Sequence, residues 1–456
     1  MQPMPAPSQK PRLPGLLKVL LPAAFAFAGG ALLGSERAAA TPTEASPFAA
    51  MGEMARVLAI VERSYVDPVD RDKALRGAIG GMVGSLDPHS HYMSPSDYKE
   101  FQSDTSGNFG GVGLEVDARG DEIKVIAPIE GGPAARAGLK SGDVIVAIDG
   151  ESVHGVGFDK IVKKMRGAPG TKVRLTVRRE GTRGVTTFEL TREEIHVSSI
   201  AAKRLDGNVA YIRIKQFQDR THAELLAAVA KVRRGGAVGG VLLDLRYNPG
   251  GLVDEATECT DEFLESGAIY TMRHRGETIE EARAKGGGAF VSVPVVALVN
   301  EWSASASELM VGALQDHKRA LVVGGSTFGK GSVQTILALH GGAGLRLTTA
   351  RYFTPSGHAI QADGIHPDVL LEATTRLAVD AGPPTIRERD LDNHLPPEGP
   401  QGGAPAAPRD AGVVIMDGGA SSATELVFEV PTDPSSSKDL VLRTGYQLLR
   451  AKMEGR

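Results

Sequence analysis

The chain has 456 residues, enough for two or three domains, and 41% hydrophobic with 23% charged residues is an ordinary globular composition. A net charge of -4 gives no reason to expect nucleic acid, and a single cysteine, Cys259, excludes an internal disulfide and a thiolate metal cluster. The eleven histidines show no ligand spacing and HExxH is absent, so neither a metal nor a cofactor is expected.

At the N-terminus, Lys10, Arg12 and Lys18 precede an apolar run from Val19 to Leu33, and Ala38-Ala39-Ala40 follows as a small-residue cleavage pattern. Residues 1–40 therefore read as a signal peptide, or as an anchor if uncleaved, and the body is expected in the periplasm. Residues 41–104 are expected to be helical. Phe48, Met51, Met54, Val57, Leu58 and Val61 recur at helical spacing, and a second helix is expected from about Asp72 to Ser85. Such helices pack on the body or on a second copy, so a homo-oligomer through terminal helices and an adaptor protein are both candidate partners.

From 105 to 188 the texture changes to short strands and turns. "FGGVGLEV" (Phe109–Val116) is a glycine loop entering an alternating strand. "GGPAARAGLKSGDVIVAIDG" (Gly131–Gly150), a short amphipathic helix and "KVRLTVRREG" complete the unit. This resembles a PDZ domain. The resemblance implies that an extended chain end adds as a strand, its carboxylate held by the backbone of Gly110, Gly111, Val112, Gly113 and Leu114. The wall would be the helix carrying Ile161, Val162 and Met165, which favours an apolar last residue. Arg166 matches a family position that could couple the groove to the core, although it also reads as a solvated surface arginine.

Strands and helices alternate from 189 to 380, which argues for an α/β core. "GVLLDLR", "VPVVALVN" and "ALVV" read as buried strands; "AELLAAVAKV", "LVDEATECTDEFLESG" and "SASASELMVGALQD" read as helices. Residues 381–425 are crowded with Pro and Gly and read as a linker. Residues 426–456 end in a strand and an amphipathic docking helix.

Three strand-end loops in this core carry the chemistry. "LVVGGSTFGKGSVQ" (Leu321–Gln334) is nearly a P-loop, but Gly331 stands where a Ser or Thr should hold magnesium, and Ser332–Leu339 is β-leaning rather than helical. Lys330 is thus a lysine on a glycine-flanked loop between strands. Ser305 lies at a strand-to-helix junction, where a hydroxyl can sit over a helix N-terminus; Ser305 and Glu308 equally read as a capping box. Asn248-Pro249-Gly250-Gly251 ends a buried strand before a helix and leaves amides free for negative charge, or is a plain turn. Loops at one sheet edge can meet. Together they fit acyl transfer: Ser305 as nucleophile, a desolvated neutral Lys330 as base, and Gln334 orienting the amine. The N–H of Ala306 with that of Gly250 or Gly251 would receive the oxyanion.

"DLRYNPGG", "NEWSASASELMVGALQD", "GGSTFGKGSVQ" and "TPSGHAIQADGIHPD" resemble the core motifs of the carboxyl-terminal processing peptidases, the S41 serine proteases. The resemblance spans roughly Phe48 to Val379 and implies an S41/crotonase-like α/β protease core with an inserted β-rich PDZ domain. It implies that the middle serine of SASAS, Ser305, is the nucleophile, Lys330 the base, and Gln334 its holder. It leaves Asp316 as structural support, and His358 departs from the Arg or Lys usual in that motif. The expected function is a serine endoprotease cleaving proteins near free apolar C-termini. The opposing expectation is a silent PDZ scaffold, which would have lost Ser305 or Lys330; both are present.

Overall fold

The computed structural model describes residues 47–119, 122–129, 131–371, 386–398 and 430–455. The export pattern and much of the expected linker lie outside them. The chain divides into two units, Met1–Gly77 and Ala78–Arg456. In the first, α1 (Pro47–Ser64) is the expected amphipathic helix, with Met51, Met54, Val57 and Val61 exposed, and Arg71 pairs with Glu62. Helix α2 (Arg71–Gly84) spans the division.

The second unit begins with β1 (His91–Met93) and α3 (Pro95–Ser106). A two-stranded ribbon, β2 (Asn108–Gly111) against β9 (Glu193–His196), brackets a small β domain. That domain contains β3 (Leu114–Arg119), β4 (Glu122–Pro128), β5 (Val144–Ile148), β6 (Glu151–Ser152), β7 (Lys172–Arg178) and β8 (Val185–Thr191). They run in the order β3-β4-β5-β7-β8, antiparallel throughout, with β6 on β5. Two short helices, α4 (Pro133–Ala137) and α5 (Phe158–Met165), accompany the sheet. Val125, Ile145, Ile148, Ile161, Leu175 and Val177 fill its core.

The remaining chain builds a layered α/β core. β10 (Ile200–Leu205), β11 (Val209–Ile214), β12 (Gly240–Asp244), β15 (Val295–Val299), β16 (Ala320–Gly324) and β19 (Val369–Leu370) form one sheet in that order. Only the β10–β11 edge is antiparallel. Every residue of β12 and β15 is buried, as unbroken apolar runs covered on both faces require. One face carries α6 (Thr221–Arg233), α7 (Val253–Asp261) and α8 (Ala306–Asp316). The other carries α9 (Leu440–Met453), whose Leu442, Tyr446 and Leu449 pack on Leu242, Val296 and Leu298. Gly445 lets α9 approach, since a Cβ there would lie 2.4 Å from a Leu298 methyl. A second sheet, β1-β18-β13-β14 with β17 on β18, uses β13 (Ala268–His274), β14 (Glu277–Arg283), β17 (Ser332–Ala338) and β18 (Gly344–Phe353).

Two expectations need correction. The helix expected to run to Gly267 ends at Asp261, because the chain turns there to bury Phe263, which stacks on Phe290 at 5.0 Å. Residues 386–398, inside the expected linker, are docked: Glu388–Asp390 form a 3-10 turn, and Glu388 is wholly buried with hydrogen-bonded partners.

Candidate active site

β12, β15 and β16 are adjacent and parallel, so the loops after them leave the same edge of the sheet. Those loops carry Asn248–Gly251, Ser305 and Lys330. They touch: the Phe328 amide donates to the Ser303 carbonyl at 3.0 Å, and the Ala304 amide donates to the Asn248 carbonyl at 3.0 Å.

The three serines of SASAS are not equivalent. Ser303 and Ser307 are fully buried, and their hydroxyls donate to the carbonyls of Leu245 (2.9 Å) and Asn248 (2.8 Å). Ser305 alone is partly open to solvent. It precedes α8 with φ 56° and ψ −117°, a conformation costing a non-glycine residue about 1–3 kcal/mol. Gly250, at φ 100°, lies under it: a Cβ on Gly250 would come within 2.8 Å of Ser305 Cβ and 2.9 Å of the Ala306 nitrogen. Only glycine permits that approach. The Gly250 N–H is committed to Asn248 Oδ1 at 2.9 Å. The N–H groups of Gly251 and Ala306 have no acceptor among the described residues.

Glu308, on the first turn of α8, is the residue whose role the sequence does not disclose beyond a capping box. Its buried carboxylate accepts from the Ser305 N–H (2.7 Å), the Gly329 N–H (2.8 Å), the Lys330 N–H (2.9 Å) and the Thr327 hydroxyl. One carboxylate thus joins the serine loop to the lysine loop. Burial outweighs these hydrogen bonds and pushes its pKa up to about 7.

Lys330 is partly buried, and burial, with the Arg346 guanidinium as a second cause, holds its amine below the usual 10.5; Glu388, Glu308 and Asp87 act in the opposite sense. No hydrogen bond joins Lys330 to Ser305 among the described residues. Nor does one join it to Gln334, contrary to expectation: the Gln334 amide donates to Ser332 Oγ at 2.8 Å, on a stretch where the β17–β18 register shifts between Val333 and Gln334. Asp316 accepts from the Ser356 amide at 2.8 Å, and His358 bonds the Gly364 carbonyl at 2.9 Å, so both brace the 354–364 loop.

Two aromatic residues flank these loops. Asn300 Oδ1 accepts from the amides of both Tyr247 (2.9 Å) and Trp302 (3.2 Å), and both side chains are exposed, Trp302 by 47%. In the β domain, a groove of about 200 Å³ is lined by Phe109, Gly111, Val112, Gly113, Leu114, Val162, Met165 and Arg166, among others. Of the expected wall, Ile161 is instead in the domain core, 1% exposed, because it faces the sheet. Gly110 serves close packing: a Cβ there would meet the Gly167 carbonyl at 2.1 Å. The Arg166 guanidinium stacks over Phe109 at 4.6 Å.

"Peptidase family S41" matches residues 208–371, "PDZ domain" residues 124–179, and "Activating protease CtpB N-terminal domain" residues 29–96. The carboxy-terminal-processing protease of Bartonella bacilliformis is 37% identical over 440 residues, covering 96% of each chain. A probable CtpA-like serine protease of Staphylococcus aureus is 38% identical over 338 residues, 74% of this chain and 67% of its own. Among solved structures, the photosystem II D1 C-terminal processing protease is 30% identical with a TM-score of 0.44, over 70% of this chain and 92% of that one. With the S41 motifs on adjoining loops of an α/β core, a PDZ domain before it and near-full-length kinship, the chain belongs to the carboxy-terminal processing proteases of peptidase family S41 and is a serine-type endopeptidase.

Proposed function

We propose that Ser305 attacks the scissile carbonyl and that neutral Lys330 is its base, on proteins delivered by their C-terminal tails to the PDZ groove. The observation that carries this reading is the buried Glu308 carboxylate, which accepts from the backbone N–H of both Ser305 and Lys330. Lysine can take the hydroxyl proton only when uncharged, and burial beside Arg346 favours the uncharged form. As the Ser305 Oγ–carbon bond forms, that proton passes to Lys330 Nζ and the carbonyl oxygen becomes an anion. The free N–H groups of Ala306 and Gly251 receive it; Gly250 is excluded as donor because Asn248 takes its N–H. Lys330 then protonates the departing amine, and water repeats the sequence on the acyl-enzyme. The Ser305–Lys330 hydrogen bond forms on substrate binding, as such contacts commonly do. Gln334 steadies the amine once Lys330 turns towards Ser305.

The Bartonella relative is named for carboxy-terminal processing, and the glycine-rich end of the PDZ groove suits a terminal carboxylate with an apolar last side chain against Val162 and Met165. The residue 1–40 export pattern supports a periplasmic site for this work, and the exposed apolar face of α1 supports self-association. The test is substitution. Ser305→Ala and Lys330→Ala should each abolish cleavage of a peptide substrate at unchanged thermal stability; near-full activity in Lys330→Ala removes the dyad.

A further inference from the structure

The lysine loop is gripped from a second side by residues outside the stretch that matches the S41 peptidases, 208–371. Glu388 opens the 3-10 turn of the 386–398 segment, and its side chain is wholly buried. Its carboxylate accepts from His89 Nε2, at 2.7 and 2.9 Å to the two oxygens, and from Gln361 Nε2 at 2.8 Å. Its own N–H donates to the Phe328 carbonyl at 3.2 Å. Gln361, also wholly buried, accepts the Gly331 N–H at 3.0 Å and donates to the Leu395 carbonyl at 3.1 Å. The residues on both sides of Lys330 are therefore tied to the same segment. His89 is fixed in turn: its amide donates to Asp87 (2.9 Å) and its carbonyl accepts from Arg346 Nε (2.9 Å).

A carboxylate sealed from water is costly unless every contact is made, and this one lies beside a lysine it does not pair with directly. We propose that Glu388 is a positioning residue for Lys330: the His89–Glu388–Gln361 hydrogen-bond chain fixes loop 328–331, so that the 386–398 segment completes the site from outside the peptidase core. This rests on the reading of Lys330 as base. The carboxylate also acts through its charge. Arg346 on β18 opposes protonation of Lys330, whereas Glu388, Glu308 on α8 and Asp87 favour it. His89, by donating to Glu388, draws part of that negative charge away from the lysine.

The full chain with Glu388→Gln, His89→Phe or Lys330→Ala is assayed for kcat/KM on a peptide substrate across pH, with melting temperature measured alongside. Glu388→Gln should move the acid limb to lower pH by roughly half a unit or more, since one favouring charge is gone, and should lower the plateau roughly tenfold as the loop loosens. His89→Phe, which removes the donor, should move the limb the other way, and Glu388→Asp should leave it near its original place. Limbs that stay put, or that move together, overturn the inference. Should Glu388→Gln fail to fold, the His89→Phe limb decides by itself: an upward move supports the inference and an unmoved one overturns it. Full activity in Lys330→Ala removes the base reading instead, whereas a dead Lys330→Ala with unmoved limbs removes this inference alone.

Discussion

Glu308→Gln preserves shape while removing one acceptor oxygen. The wild-type carboxylate receives hydrogen bonds from Ser305, Thr327, Gly329 and Lys330, divided between its two oxygens. Whichever oxygen becomes an amide nitrogen, two donors lose their acceptor and face another donor. At about 1.5–3 kcal/mol for each bond to a charged group, the assembled arrangement loses roughly 3–6 kcal/mol. Against this stands the relief of a buried charge. A carboxyl raised from 4.5 to about 7 costs the folded state about 3 kcal/mol once it is ionised above that value. That cost is what remains after the four hydrogen bonds are counted, so denaturant unfolding at pH 8 should show little net loss. Activity has no such offset. Displacing the serine or lysine loop by about an ångström costs on the order of a hundredfold in kcat/KM. The pH dependence has a definite sign: the folded protein takes up a proton between about 7 and 4.5 that the unfolded chain does not. Wild-type stability therefore gains from Glu308 as pH falls through that window, and Glu308→Gln should lack that gain. Activity within threefold of wild type would refute the claim that this carboxylate holds the two loops together.

Ser303→Ala and Ser307→Ala each remove one of two donors to a buried carbonyl, which keeps a backbone N–H, so each should lose about 0.5–1.5 kcal/mol in denaturant unfolding while cleavage continues; abolished cleavage at intact stability in either would contradict the choice of Ser305. The rate should rise with pH along one ionisation lying below the usual 10.5 of lysine, and Lys330→Arg should be inactive because arginine stays charged. A flat pH–rate profile would argue against a lysine base. Gly250→Ala should lose activity and about 2–5 kcal/mol, from left-handed strain and the clash with Ser305 and Ala306, seen as a lowered denaturation midpoint. C-terminal amidation should slow cleavage of a good peptide below saturation; equal rates would show that the PDZ groove does not read the carboxylate.

The frame of this site is legible in the sequence because it depends on local pattern. Unbroken apolar runs at Val241–Leu243 and Val295–Val299 announce buried parallel strands, and glycines and serines at their ends mark loops that share an edge. β17 forms where β-leaning residues after Gly331 speak against a P-loop helix. What is not legible depends on distant partners. The capping pattern of Ser305 and Glu308 does not show that the same carboxylate also accepts from Gly329 and Lys330, because those N–H groups belong to a neighbouring strand's loop. The partner of Gln334 turns on a register shift in the β17–β18 pairing, and such irregularities re-aim side chains. Glu388 is hidden by its surroundings, since a Pro/Gly-rich composition reads as linker although "IRERDLDNHL" within it docks by polar contacts. Ile161 and Val162 are neighbours on one helix, and only their packing separates core from groove.

Trp302 is the only tryptophan in the chain, three residues before Ser305 and half exposed. The lone indole of a folded protein commonly sits in its core, where its emission follows global unfolding. Here it stands on the serine loop, tethered through Asn300 to the loop that carries Gly250 and Gly251. Excitation selective for the indole therefore reads one place on the molecule without any attached label. Peptide arriving at the serine would change the polarity around the ring, whereas melting of the PDZ domain alone would pass unseen. The protein thus carries its own optical gauge of the serine loop, separable from the stability of the rest of the chain.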